Sequence, residues 1–447
     1  MDPRGQQGDQ QHHPLGRRRS LQDPPDLREG AGVSPPTPGA GHPASAFAPF
    51  ANRSFALLWT ANVLSNTGGW MATTGAAWEM TSLTQEPIFV ALLSAAGTLP
   101  MFLFCFFAGV LADRFDRRRY IIVCQVWMMG VAAALAALAF LGRLDHWSLL
   151  GLSFCMGLGN AMNAPAWHAV VPEIVSGPHL RPAIALNSAG FNLARTVGPV
   201  VGQVLLSLVG VFMLFAVNAA TYVGVIFAML RWRRPAEARA AQRREGLVEA
   251  ARTGIAFVRG SGELKAIFAR GLCFFVPGIA VGTLLPVIGR FELGLDEFAF
   301  GVLYAVFGAG AVAGAVLMPT LNRLLGPDRA NIWAMGIHTA ATLVIALVLT
   351  PLVVGACVAL SGACWITFIA NNGTAVQTIL PNFMRARGMA VHQMVFFGAM
   401  VVGSLLWGKI ATLFGTQASL IASAVALVPL TMLAASIRLP GSSLPRV

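Results

Sequence analysis

The chain is dominated by a succession of long segments that contain no Asp, Glu, Lys or Arg. Residues 54–78, 87–112, 120–142 and 146–172 follow one another with only short charged connections between them. A helix that crosses a bilayer needs about 20 residues, so each segment is long enough to cross. Residues 182–230 carry a single charge, Arg195. That stretch is too long for one crossing, and a break is expected within 207–212. Spans at 264–289 and 298–322 follow. Residues 330–384 carry no charge and divide at Thr350-Pro351, because proline removes a backbone donor and restricts the residue before it. Spans at 388–408 and 410–437 bring the expected number to twelve.

Composition supports this reading. Only 11% of the 447 residues are charged and 56% are hydrophobic, whereas a soluble domain carries about 25% charged residues. The apolar stretches do not alternate in the in/out pattern of a barrel strand. The expected fold class is therefore an all-α polytopic membrane protein. Its expected layout is a disordered cytoplasmic tail at 1–52, a six-helix bundle at 53–232, a central cytoplasmic loop at 233–263, a second six-helix bundle at 264–438 and a short cytoplasmic tail at 439–447. All six cysteines lie in apolar stretches and none forms a Cys-x-x-Cys pair, so neither a disulfide framework nor a metal site is expected.

Orientation follows from the cations. With the N-terminus inside, all 31 Lys and Arg fall on the cytoplasmic side except Arg143, Arg290, Lys409 and the intramembrane Arg195. Such asymmetry places both termini in the cytoplasm. It also accounts for the formal charge of +12 without a nucleic-acid partner. The stretch 231–270 holds ten of these cations, and is read as one long basic loop. Within it Leu247, Ala251, Ile255 and Val258 share one helical face, which predicts an interfacial amphipathic helix.

The halves align on each other. At an offset of 209, Ala161, Asn163, Ala166 and Pro172 meet Ala370, Asn372, Ala375 and Pro381, and His168 meets Gln377. At 206, Arg181 and Asn187 meet Arg387 and Gln393. Internal repeats are a common build for secondary transporters, and six plus six is the economical division.

The sharpest motif is Gly109-Val110-Leu111-Ala112-Asp113-Arg114-Phe115-Asp116-Arg117-Arg118-Arg119. An acid followed by a basic cluster in a tight turn can bridge helix ends, arginines facing C-terminal carbonyls. Here the chain resembles the major facilitator superfamily, whose signature reads G-x-L-x-D-R-x-G-R-R-R. Asp116 replaces the usual glycine, a variant associated with the branch of the enterobactin exporter and macrolide efflux proteins. The resemblance implies a conformational gating role for Gly109, Asp113, Arg114, Arg117 and Arg118, with Asp113 in a state-dependent contact between the halves. Gly198-Pro199-Val200-Val201-Gly202 resembles the kinked motif of exporters. An ordinary Gly/Pro kink, with Gly198 and Gly202 admitting a neighbouring backbone, is the alternative.

Arg195 stands near the middle of its span, where an arginine costs ~2.5–3.5 kcal/mol. Two readings stand: it attracts an anionic or polar substrate, or it braces carbonyls and Asn side chains around the kink. Asn62, Asn66 and Trp70 in the first span, with Asn163, Asn187, Asn192, Asn372, Gln377, His392 and Gln393, supply amides and rings to helices that line the cavity in this superfamily. For any one amide, interhelical bonding is the alternative.

The resemblance implies a bacterial inner-membrane exporter of a small amphipathic molecule, a siderophore or hydrophobic drug, working as a monomer without a cofactor and coupled to protons. Uptake by the same fold is the alternative. A polytopic enzyme would need a catalytic cluster, and the sequence offers neither that nor a Walker loop.

Overall fold

The computed structural model describes residues 47–233, 247–381 and 384–437; the side chains of Asp113, 247–251 and Ala386 are outside the described set. The expectations for 1–46, 234–246 and 438–447 lie outside the described residues. What is described is helical, as a backbone surrounded by hydrocarbon requires, since it must satisfy its own hydrogen bonds. In order the helices are α1 (Arg53–Leu83), α2 (Pro87–Arg114), α3 (Arg117–Phe140), α4 (His146–Ile174), a continuous Leu180–Arg231 stretch, α7 (Leu247–Gly260), α8 (Gly262–Val287), α9 (Glu297–Leu325), α10 (Pro327–Leu347), α11 (Pro351–Ile379), α12 (Arg385–Phe414) and α13 (Thr416–Ser436). The continuous stretch breaks at Gly210, whose φ of 79° is costly for any residue with a Cβ. It is treated below as α5 (180–209) and α6 (211–231).

Nine of these segments are long and apolar enough to cross a membrane, counting α5 and α6 as one. Helices α1 and α4 are not among the nine. Their sequences explain why: α1 carries Asn62, Ser65, Asn66, Thr67, Thr73 and Thr74, and α4 carries Asn160 and Asn163 beside four glycines or prolines in its central turns.

Local signals set the boundaries. Asn52 caps α1, accepting from the Ser54 and Phe55 N–H groups at 3.0 and 3.3 Å. Asp145 and Ser148 form a reciprocal capping box at the start of α4, and the Ser148 hydrogen bonds hold the Asp145 carboxyl below the usual range. Pro87, Pro327 and Pro351 open α2, α10 and α11, where the missing N–H is no loss.

Contacts between termini show which helix ends lie together. The Asn52 amide donates to the Ile174 carbonyl at 3.1 Å, and Arg118 donates to the Met229 and Leu230 carbonyls at 2.7 Å. Arg270 donates to Asp328 and to the Ile437 carbonyl. These contacts define one end, the basic end, where the motif arginines cluster. At the opposite end Arg290 reaches Ser82, and the Thr412 hydroxyl accepts from the Ile88 N–H.

Helices α1 and α5 approach closely. A Cβ on Gly198 would lie 2.6 Å from the Trp70 Cβ and 2.9 Å from the Thr67 carbonyl; one on Gly202 would lie 2.8 Å from the Met71 Cα. Between α1–α6 and α8–α13 the main contacts are α2 with α12 and α5 with α9. Gly202→Val would collide with backbone that cannot swing aside. It is expected to cost about 1–3 kcal/mol, read as a lower Tm of the purified protein in detergent; an unchanged Tm would refute the approach.

Candidate functional site

Arg195 projects from the middle of α5 between two groups of helices. Its guanidinium carbon lies 5.7 Å from the ring centre of Trp70 on α1 and 5.6 Å from that of Phe307 on α9. Among the described residues it has no hydrogen bond and no ion pair, and it is half-buried. The brace to carbonyls or Asn side chains is therefore not the arrangement present. The rings offset part of the desolvation cost, at ~0.5–2 kcal/mol each, but they offer no in-line acceptor to five N–H groups.

From Arg195 toward the basic end, α5 presents Ile184, Ser188, Phe191 and Asn192 as exposed side chains. Phe191 meets Trp70 edge-on at 6.2 Å. Deeper in, Asn62 donates to Asn187 at 3.5 Å, and the Asn187 oxygen also accepts from the Trp167 indole at 3.3 Å, so α1, α4 and α5 share one polar cluster. Asn66 and Asn192 bond carbonyls one turn back on their own helices, at 2.8 and 2.9 Å. The Asn163 and Asn372 side-chain oxygens are buried without partners, at the two positions that the 209-residue offset equates. Gln377 and Gln393 are exposed. His392 is buried and stacks on Phe268 with centroids 5.9 Å apart. The structure thus brings Trp70 to Arg195 and Asn62 to Asn187, but forms no single cluster from all the expected residues.

The motif turn splits. Arg117 pairs with Glu173 on α4 at 2.7 Å, Arg118 holds the last carbonyls of α6, and Asp116 caps α3 through the Arg119 N–H. Arg114 is exposed and Gly109 has open space where a Cβ would be. Glu173, which Arg117 pairs with, and the Met229 and Leu230 carbonyls that Arg118 holds all belong to α1–α6. The Asp113 side chain lies outside the described residues. Gly198, Pro199 and Gly202 form a helix–helix contact surface, and Pro199 is accommodated within the helical run.

Two arrangements escape the sequence reading. At the end opposite the basic one, Arg290 stands 5.1 Å from the Trp78 ring and donates to Ser82 at 2.6 Å, while the Trp78 indole donates to Glu297 at 3.3 Å. Glu79 lies within electrostatic reach of Arg290 and Glu297. A π-helical turn, Ile288–Glu292, carries Arg290 there. The second is Arg270, read above as a loop cation. It is 1% exposed inside α8 and bonds both the side chain and the carbonyl of Asp328. Its signal was an arginine lying within an otherwise apolar run, with an acid in the Gly-Pro-Asp turn. No three His, Cys, Asp or Glu among the described residues could hold a metal ion together. Arg270→Ala would remove the guanidinium that bonds both the side chain and the carbonyl of Asp328 and the Ile437 carbonyl. A loss approaching the about 3–5 kcal/mol of a broken buried pair is expected, measured as Tm in detergent.

A family model described as transmembrane secretion effector matches residues 44–444. The chain is 20% identical over 369 residues to the staphyloferrin A transporter of Staphylococcus aureus, covering 82% of this chain and 91% of that protein. It is 22% identical to macrolide efflux protein A of Streptococcus pyogenes, over 59% of this chain and 65% of that one. Identity to the enterobactin exporter EntS of Shigella boydii is 27%, over 73% and 78%. Among solved structures, a bacterial homologue of the human lysosomal transporter Spinster, crystallised inward-facing and unoccupied, superposes with a TM-score of 0.72 at 14% identity, covering 89% of this chain and 99% of that one. The chain belongs to the transmembrane secretion effector family, in the siderophore and macrolide efflux branch of the major facilitator superfamily.

Proposed function

We propose that this protein is a proton-coupled exporter of a small amphipathic molecule, built from twelve spans in two six-helix bundles, 53–232 and 264–438, that rock about a central chamber. In this reading α1 and α4 cross the membrane with α5 and α6 as separate spans, both termini are cytoplasmic, and the protein acts as a monomer in a bacterial inner membrane. The observation that carries the proposal is Arg195. It occupies the middle of a span with its N–H groups unclaimed, on a helix whose exposed face runs from it to the basic end. A chamber open to the cytoplasm and closed outside by Arg290, Trp78 and Glu297 is the loading state of an exporter.

The gating role of Gly109, Asp113, Arg114, Arg117 and Arg118 belongs to this proposal, as does the chamber lining by Asn62, Asn66, Trp70, Asn163, Asn187, Asn192, Asn372, Gln377, His392 and Gln393. The described acids lie in loops or near helix ends. Glu79, beside Arg290 and Glu297, is therefore the acid we assign to proton coupling at the outer closure.

Cells producing the protein should accumulate less of a siderophore or hydrophobic drug than cells without it; greater accumulation would establish uptake instead. Arg195→Ala should abolish the difference while the protein still reaches the membrane. The outer closure has a separate test, in a chain whose native cysteines are replaced. Thr73→Cys should react faster with an impermeant maleimide added outside once Arg290→Ala is also present. Equal rates would mean Arg290 does not hold the closure.

A further inference from the structure

Resting on the transporter reading, we propose that the chamber selects amphipathic organic anions: a carboxylate or similar oxyanion attached to an aromatic or alkyl body, with amphipathic cations rejected. The argument is one of charge balance at a particular depth. Arg195 lies 15 residues into α5, about 22 Å of helix from Leu180. The acidic side chains described are in loops or close to helix ends, so none offers Arg195 a counter-charge. A second cation brought to this place would meet an unneutralised like charge in a poorly screening medium. An oxyanion would neutralise it.

The surroundings fix the rest of the ligand. The ring centres of Trp70 and Phe307, on different helices, lie 5.7 and 5.6 Å from the guanidinium carbon, and Phe191 meets Trp70 edge-on. A ligand reaching the free N–H groups must lie along these rings, so its body is apolar or aromatic. The planar fork of a guanidinium matches two oxygens of one carboxylate. Neutral polar ligands could use the Asn62–Asn187 cluster, but those amides already bond one another or Trp167. Asn187 keeps its own amide N–H donors, but the charged donors left unclaimed at this depth are those of Arg195.

A pair of probes with one ring and opposite charges tests this: 1-naphthaleneacetate and 1-naphthylmethylammonium. Binding to the purified full-length protein in detergent is followed by calorimetry and by quenching of tryptophan fluorescence. The acid should bind at least about tenfold tighter than the amine, the least expected for hydrogen bonds to a charged group. Arg195→Gln should abolish the preference, and Arg195→Lys should keep its sign with weaker binding of the acid. Equal or tighter binding of the amine by the wild-type protein, no saturable binding of either probe, or an unchanged preference in a folded Arg195→Gln protein would each overturn the proposal. The wild-type comparison stands even if a variant fails to fold. Transport of both probes in reconstituted vesicles separates the two readings. Acid bound selectively but not moved would leave the selectivity standing and remove the transporter reading. Both probes moved equally would do the reverse.

Discussion

A helix surrounded by hydrocarbon has its backbone satisfied internally and gains little from apolar contact with a neighbour, because lipid is as apolar as the neighbour's side chains. Association then depends on close approach and on polar groups that find partners across the contact. Helix α5 uses both. One face bears Gly198 and Gly202 against the backbone of α1; another bears Thr196 and Gln203 against Gly308 and Gly301 of α9. Arg195 sits where these faces converge. Its two ring neighbours follow from α5 being wedged between α1 and α9.

Much of this was legible because membrane helices announce themselves through absence of charge. The Gly210 break falls inside the expected window, and the Thr350-Pro351 boundary separates α10 from α11. The amphipathic pattern at 247–258 is a helix. Arg195 stood out for the same reason that it is costly. Illegible were the contacts whose partners are far apart in sequence. Arg290 and Ser82 are separated by 208 residues, and Trp78 and Glu297 by 219. No local pattern links them. Arg270 was misread because charge was used to mark loops, and a buried cation with its own acid breaks that equivalence.

Amides were harder still. Nothing in the sequence separates Asn192, which bonds its own helix, from Asn187, which joins three helices. Positions related by the repeat offsets also join pairs of helices. Trp59 donates to the Leu186 carbonyl at 2.9 Å, joining α1 to α5; Phe268 and His392, at offsets of 209 and 206, join α8 to α12 by ring stacking. The two contacts use different chemistry, a hydrogen bond in one and ring stacking in the other, so residue identity alone does not relate them.

The bend at Gly210 joins α5 to α6 without a polar connecting loop, and the far end of α6 is grasped by Arg118 on α3. In the proposed rocking, a one-residue connection leaves little slack between the helix that carries Arg195 and the carbonyls that Arg118 holds, so a tilt of α5 would be felt at the arginine-rich turn.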